Sequence, residues 1–255
     1  MPRIVTLTTD FGTGSGYVAE MKGRLLHAHD PFTLVDIAHD LPAHDLRAAA
    51  WLVGQACPEF PAGTLHLVVV EPGVGTARRL VWAEVGDQQF LCPDNGLLSW
   101  ALRRGSLAAA REIVVAAASA ATFHGRDVLA PAAVRLLDGT APDSLGPLLT
   151  DLVRLPWPAP EETAAGCAGE VLHVDGFGNL VTNLPAALWP RVVAADGLRV
   201  GGHDVTTLVR TYGDAAPGTL VALVGSQGFI EAAVVEGRAD ARLGARCGTP
   251  VVLAG

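Results

Sequence analysis

The stretch "RIVTLTTDFGTGSGYVAEMKGRLLHAHD", residues 3–30, sets the architecture of the first half of the chain. A β-rich run ends on Asp10, and a loop with Gly12, Gly14 and Gly16 follows. Tyr17, Met21 and Leu25 then recur at helical spacing. Strand, glycine loop and helix in that order open a βαβ unit. The alternation continues outward. "FTLVDIA" (32–38) reads as a second strand, "HDLRAAAWLVGQA" (44–56) as a second helix and "TLHLVVVE" (64–71) as a third strand. "RLVWAEV" (79–85) and "QFLCP" (89–93) read as a hairpin-like pair, and "GLLSWALRR" (96–104) as a short helix. "EIVVAA" (112–117) reads as a strand and "GRDVLAPAAVRLLDG" (125–139) as a helix. Near-continuous apolar strands separated by crossover helices predict an α/β domain with a mostly parallel sheet flanked by helices.

The pattern changes at "RLPWPAPEETAAGCAG", residues 154–169, which is rich in proline and alanine and reads as a linker. Beyond it come short strands and turns, such as "GEVLHVDGFGNLVTNL", "TLVALVGSQG" and "TPVVLAG". That spacing predicts a smaller all-β, barrel-like unit. The expected organisation is an α/β domain over 1–155, a linker over 156–168 and a β domain over 169–255.

Composition narrows the function classes. Half of the 255 residues are apolar and mean hydropathy is +0.35, so a large core is available. Runs such as "VVAAASAA" (114–121) are far too short to cross a membrane. The net charge of −8 argues against nucleic-acid binding, which draws on basic surface to displace counterions. The N-terminus has no basic region followed by an apolar stretch and a small-residue cleavage site, so a cytoplasmic protein is expected. Cys57, Cys92, Cys167 and Cys247 form no CxxC pair and read as scattered thiols, not a disulfide framework. Lys22 is the only lysine, and arginine supplies the other basic side chains.

Four stretches carry candidate chemistry. In "TLTTDFGTGSGY" the glycines give GxGxG, not the GxGxxG of a dinucleotide fingerprint, although Asp36 ends the next strand where a ribose acid would sit. Asp10 precedes the glycines, where its carboxylate would repel a pyrophosphate but accept hydrogen bonds from a ribose diol. The bland reading is a turn with a helix cap. In "VVVEPGVGTARRL" (68–80) Glu71 and Arg78 flank a glycine-rich turn just past a strand, which reads either as a surface ion pair or as site groups. In "TFHGRDVLAPAA" (122–133) His124 stands at the mouth of a helix, and a lone histidine is more often structural. In "HVDGFGNLVTNLP" (173–185) Asp175, Phe177 and Asn179 crowd one turn. An aromatic face beside an amide and a carboxylate suits a purine, and an ordinary β-turn is the alternative. "AHDLPAHD" (38–45) places His39, Asp40, His44 and Asp45 close together, but at no standard metal-ligand spacing, and no metal is expected. No GxSxG, HExxH or P-loop pattern is present.

Taken together, "TLTTDFG…GYVAEMKG", "VVVEPGVGTARR", "PDNGLLS", "TFHGRDVLAPAA", "VDGFGNLVTN" and "GSQGFIEAAV" resemble the SAM hydroxide adenosyltransferase family, S-adenosyl-L-methionine (SAM) hydrolases related to the fluorinase and chlorinase. The resemblance runs in order over essentially the whole chain. It implies an N-terminal α/β domain, a C-terminal β-barrel domain and a homotrimer, with ligand held between the N-domain of one subunit and the C-domain of its neighbour. It implies SAM and water as substrates, adenosine and L-methionine as products, and no cofactor. It places the catalytic acid, arginine and histidine on Glu71, Arg78 and His124, with glutamate where the family usually has aspartate. It places substrate-binding roles on Asp10, Asp175, Phe177, Asn179 and Ser226. The halogenating relatives carry an inserted loop between the equivalents of "TARR" and "PDNG"; here only residues 80–92 lie between them. Hydrolysis is therefore expected over halogenation. A non-catalytic adenosine- or SAM-binding protein is the remaining alternative.

Overall fold

The computed structural model describes residues 3–115, 122–164 and 166–254. The chain divides into two compact units, Met1–Leu155 and Pro156–Gly255.

The first unit is built on a six-stranded sheet. In chain order its elements are β1 (Arg3–Thr9), α1 (Gly16–Leu25), β2 (Phe32–Ala38), α2 (Leu46–Ala56), β3 (Leu65–Val69), β4 (Leu80–Val85), β5 (Gln88–Pro93), α3 (Ala101–Arg104), β6 (Leu107–Glu112) and α4 (Ala130–Leu137). The sheet order is β2-β1-β3-β5-β4-β6. Pairs β1–β2, β1–β3 and β3–β5 are parallel. Strand β4 runs antiparallel to both β5 and β6. The sheet is thus mixed, with three parallel and two antiparallel pairings, so the mostly parallel expectation holds only in part. The cause is local: only Gly86 and Asp87 separate β4 from β5, and Gly86 has φ 63°. A two-residue turn with positive φ closes a hairpin, and a hairpin is antiparallel.

Alternate residues of the central strands feed two separate cores. Val5, Leu7, Leu67, Val69, Trp82 and Leu91 pack with Met21 and Leu25 of α1 and Leu136 of α4. Val68, Val81, Ala83, Phe90 and Cys92 pack with Ala49 and Val53 of α2 and Leu102 of α3. Asp45 caps α2, its carboxylate accepting the Ala48 N–H at 2.9 Å. The strand expected over 112–117 lies earlier, at β6, and residues 116–121, which include most of "VVAAASAA", lie outside the described residues.

The second unit is a barrel-like sheet. Its strands are β7 (Glu161–Thr163), β8 (Gly166–Val174), β9 (Leu180–Pro185), β10 (Leu198–Val200), β11 (His203–Val205), β12 (Thr207–Leu208), β13 (Leu220–Val224), β14 (Phe229–Val234) and β15 (Pro250–Ala254). They follow the order β11-β10-β15-β8-β9-β14-β13-β12, with β7 added beside β8. The segment read as a linker, 156–168, therefore contains β7 and the first residues of β8. Val171, Leu180, Leu184, Val200, Ile230 and Leu253 fill its main core. Among the described residues no helix is long and apolar enough to cross a membrane.

Candidate active site

Strand ends decide the site of the first unit. Strands β1 and β3 lie side by side in parallel, with Thr9 opposite Val69. Asp10 and Glu71 follow these strands and so emerge at the same edge. In open α/β sheets ligands sit beyond such carboxyl ends. Arg78 precedes β4, and β4 runs backwards against β5, with Leu80 opposite Pro93. Reversal of that one strand brings a residue before it to the edge where the others end.

His124 comes from a different route. It stands just before a π-helical turn, Gly125–Leu129, that runs into α4. Such turns occur frequently at functional sites. Gly125 lets this turn approach the sheet: a Cβ there would lie 3.2 Å from Met21 Sδ and 3.3 Å from both Val69 methyls.

The result is a connected set. Arg78 forms an ion pair with Glu71 through Nε, and both side chains are almost fully buried. Arg78 Nη2 lies 3.0 Å from His124 Nδ1. A guanidinium only donates, so Nδ1 accepts and the neutral ring carries its proton on Nε2. Burial, followed by the charge of Arg78, lowers the His124 pKa, which favours that neutral form. Burial also lowers the Arg78 pKa, from a value so high that the group stays charged.

Glu71 and His124, with Asp10 and His44, line a cleft of about 530 Å³, and Arg78 lies behind them, bonded to both. Phe11, Tyr17 and Phe123 form its apolar wall, their rings meeting edge to face at 5.2 to 5.8 Å. The Asp10 side chain is 7% exposed, and its Oδ2 accepts the His44 N–H at 2.8 Å. His44 has φ 66°, a strained value for a non-glycine residue. Asp10, Glu71, Arg78 and His124 are thus brought together, although 114 residues of sequence span them.

The second unit has its own pocket, of about 340 Å³, to which Asp175 and Ser226 contribute. Asp175 Oδ1 accepts the N–H groups of Phe177 (2.9 Å) and Asn179 (2.8 Å), and Oδ2 accepts Asn179 Nδ2 at 2.9 Å. Neither Asn179 nor Phe177 lines this pocket: Asn179 is buried, and Phe177 is 78% exposed. Sequence reasoning missed Tyr212 and Glu231 here. The Tyr212 hydroxyl donates to Glu231 Oε2 at 3.0 Å. Burial raises the Glu231 pKa. Burial and the adjacent Glu231 also raise that of Tyr212. Gly225 makes room for this carboxylate, since a Cβ there would lie 1.7 Å from Glu231 Oε1. The available signal was an acid inside an otherwise apolar strand, "FIEAAV". Among the described residues no cluster of three or more His, Cys, Asp or Glu is placed to hold a metal ion.

The N-terminal domain model of the SAM hydroxide adenosyltransferases matches residues 5–146, and the C-terminal domain model matches residues 169–252. The chain belongs to the SAM hydroxide adenosyltransferase family. It is 42% identical to the (R)-S-adenosyl-L-methionine hydrolase of Thermus thermophilus, over 98% of this chain and 99% of that one. It is 40% identical to the enzyme of the same name from Salinispora tropica, over 94% and 93% of the two chains. A fluorinase from an Actinoplanes species is more distant, at 28% identity over 71% of each chain. Among solved structures, an uncharacterized conserved protein from Thermotoga maritima superposes with a TM-score of 0.88 at 32% identity, covering 97% of this chain and 98% of that one. Membership of this family makes the Glu71–Arg78–His124 set the first place to look for its chemistry.

Proposed function

We propose that this protein is an enzyme that hydrolyses S-adenosyl-L-methionine to adenosine and L-methionine. The observation that carries this reading is the buried Arg78 held between Glu71 and His124 beside the Asp10 cleft. Water attacks C5′; the new C5′–O bond forms as the C5′–S bond breaks. The electron pair moves to sulfur and neutralises the sulfonium. Because the leaving group is a neutral thioether, no acid is required for its departure. The task is to hold a water in line with the C–S bond and to remove its proton.

Each residue has a distinct part in this reading. Arg78 stabilises the developing hydroxide in a partly desolvated site. Glu71 is the anionic proton acceptor of the set. His124, with Nδ1 occupied by Arg78 and Nε2 protonated, fixes the guanidinium and serves as a donor. Asp10 accepts the ribose hydroxyls, while Asp175, Asn179 and Ser226, with Phe177, recognise the remainder of the ligand. The same reading takes the protein as a cytoplasmic homotrimer in which the cleft of one subunit is completed by the C-terminal pocket of its neighbour. Sedimentation at assay concentration tests this, and an active monomer would overturn it.

Incubation with SAM, in buffer with and without halide, tests the reaction. Equimolar adenosine and methionine are expected in both buffers. A 5′-halo-adenosine product would indicate halogen transfer, and binding of SAM without turnover would indicate a non-catalytic protein.

A further inference from the structure

The histidine- and acid-rich segment 38–45 has no part in the reaction just described, yet it is bonded to the Asp10 loop along its length. The His39 ring is buried, with Nδ1 at 2.9 Å from Thr9 Oγ1 and Nε2 at 3.1 Å from Asp36 Oδ1. Asp36 Oδ2 in turn takes Lys22 Nζ at 2.5 Å. Nε2 faces the Asp36 carboxylate without hydrogen-bond geometry; with the ring proton on that side, Nδ1 accepts from the Thr9 hydroxyl. The Thr9 oxygen keeps a lone pair for the Phe11 N–H, at 3.4 Å. Both neighbours of Asp10 are thereby held by one hydroxyl whose direction His39 sets.

The backbone supplies the rest of the clamp. The Gly12 N–H donates to the His39 carbonyl at 2.8 Å, and the Thr13 N–H to Asp40 Oδ1 at 2.9 Å. The pairing of β1 with β2 slips at this point: Leu7 is opposite Asp36, but Thr8 is opposite Ala38. A bulge of this kind re-aims the side chains beyond it and is over-represented next to active sites. Without the slip, His39 and Asp36 would be differently placed against Thr9.

We propose that Lys22, Asp36, His39 and Thr9 form one chain of ion-pair and hydrogen-bond contacts that positions the Asp10 carboxylate for the nucleoside, with His39 as its central positioning residue. The proposal rests on the reading of Asp10 as the acceptor of the ribose hydroxyls. The chain begins at the solvent-accessible Lys22 and ends at a fully buried threonine. Apolar side chains would join β1 to β2 equally well, but they would leave the Thr9 hydroxyl, and through it the Phe11 N–H, without a fixed direction.

The test uses Thr9→Val, which removes the hydroxyl at nearly constant shape, Thr9→Ser, which restores it, His39→Gln and Asp10→Asn. Adenosine affinity by calorimetry, KM and kcat for SAM, and the melting temperature are measured for each. Thr9→Val and His39→Gln are expected to weaken adenosine binding and raise KM by ~10-fold, with kcat changed much less, whereas Thr9→Ser stays near wild type. In an Asp10→Asn background the Thr9→Val effect is expected to vanish. If Thr9→Val lowers the melting temperature while adenosine affinity and KM stay at wild-type values, the chain is only structural. If Thr9→Val weakens binding equally with and without Asp10, it does not act through Asp10. If Asp10→Asn alone binds adenosine normally, the assignment of Asp10 fails, a result distinct from the other two.

Discussion

Arg78 and His124 stand 46 residues apart in sequence, and their side chains meet at 3.0 Å. The contact is a hydrogen bond from a permanent cation to an imidazole nitrogen, which fixes the tautomer of the histidine. It leaves His124 without a free lone pair, so in the proposed reaction Glu71 is the group that takes the proton of the attacking water. Three consequences can be measured.

Arg78→Ala removes the charge that, in the proposed reaction, stabilises a developing hydroxide. Turnover of SAM is expected to fall by ~10²–10³, while adenosine still binds. Arg78→Lys restores the charge without the fork that serves Glu71 and His124 together, so it should recover little. Steady-state kinetics beside adenosine calorimetry separate the two effects. Near-normal hydrolysis by the alanine variant would remove Arg78 from the mechanism.

Glu71 bears one methylene more than the aspartate usual in the family resemblance. In the structure it pairs with Arg78, and both side chains are largely buried. Glu71→Asp is expected to stay active at a similar or higher rate. Glu71→Gln should lose ~10²-fold or more, because a neutral amide neither balances the buried guanidinium nor takes a proton. Equal turnover by wild type and the glutamine variant would reduce Glu71 to a loop residue.

For His124 the pH profile is the informative measurement. Protonation of Nδ1 would set a donor against the Arg78 donor, so the working form is neutral. Burial and then Arg78 lower the pKa from 6.5, which places the loss of activity on the acid side of that value. His124→Asn offers an uncharged acceptor to Arg78 and should keep more activity than His124→Phe, with its acid limb shifted to lower pH. An acid limb that does not move in the asparagine variant would show that another group controls it.

Acid stability depends on a different histidine. His66 is fully buried, with Nδ1 at 2.8 Å from Thr6 Oγ1 and Nε2 at 3.1 Å from Gln88 Oε1. Burial pushes its pKa down to about 4 from 6.5, although the Gln88 bond opposes the shift. The folded form holds the neutral ring, so its contribution is complete above pH 6.5 and is lost as pH falls through about 4. That window corresponds to roughly 3 kcal/mol. Urea unfolding between pH 7 and pH 4 should show the loss, and His66→Gln should flatten it even if it costs stability at pH 7. An equally steep decline in the variant would assign the acid sensitivity elsewhere.

Much of this was legible in residue order. Strand periodicity gave β1, β2 and β3 almost at their observed limits: β1 and β3 are buried on both sides of the sheet, and the edge strand β2 is partly buried. The glycine-rich turn after Glu71 and the aromatic-polar turn at Asp175–Asn179 marked the two places where chemistry-bearing side chains gather. Glu231 and Tyr212 escaped notice, since an acid within an apolar strand gives no sign of its partner. The histidines of 38–45 looked like poor metal ligands; the bond of His39 to Thr9 and its approach to Asp36 depend on a bulge that no spacing rule announces.

The sequence by itself determined the family, the two-part organisation and the identity of the groups at the candidate site, because periodic burial and short motifs are local properties of the chain. It did not determine how those groups meet. Two residues between β4 and β5 force an antiparallel strand, and that reversal delivers Arg78 to the edge where β1 and β3 end. Gly125 then allows the turn carrying His124 to close against Val69. The hairpin of β4 and β5 is local, but its place beside β3 and the close packing at Gly125 are settled only when the whole sheet forms, so the contact of Arg78 with His124 belongs to the tertiary structure alone.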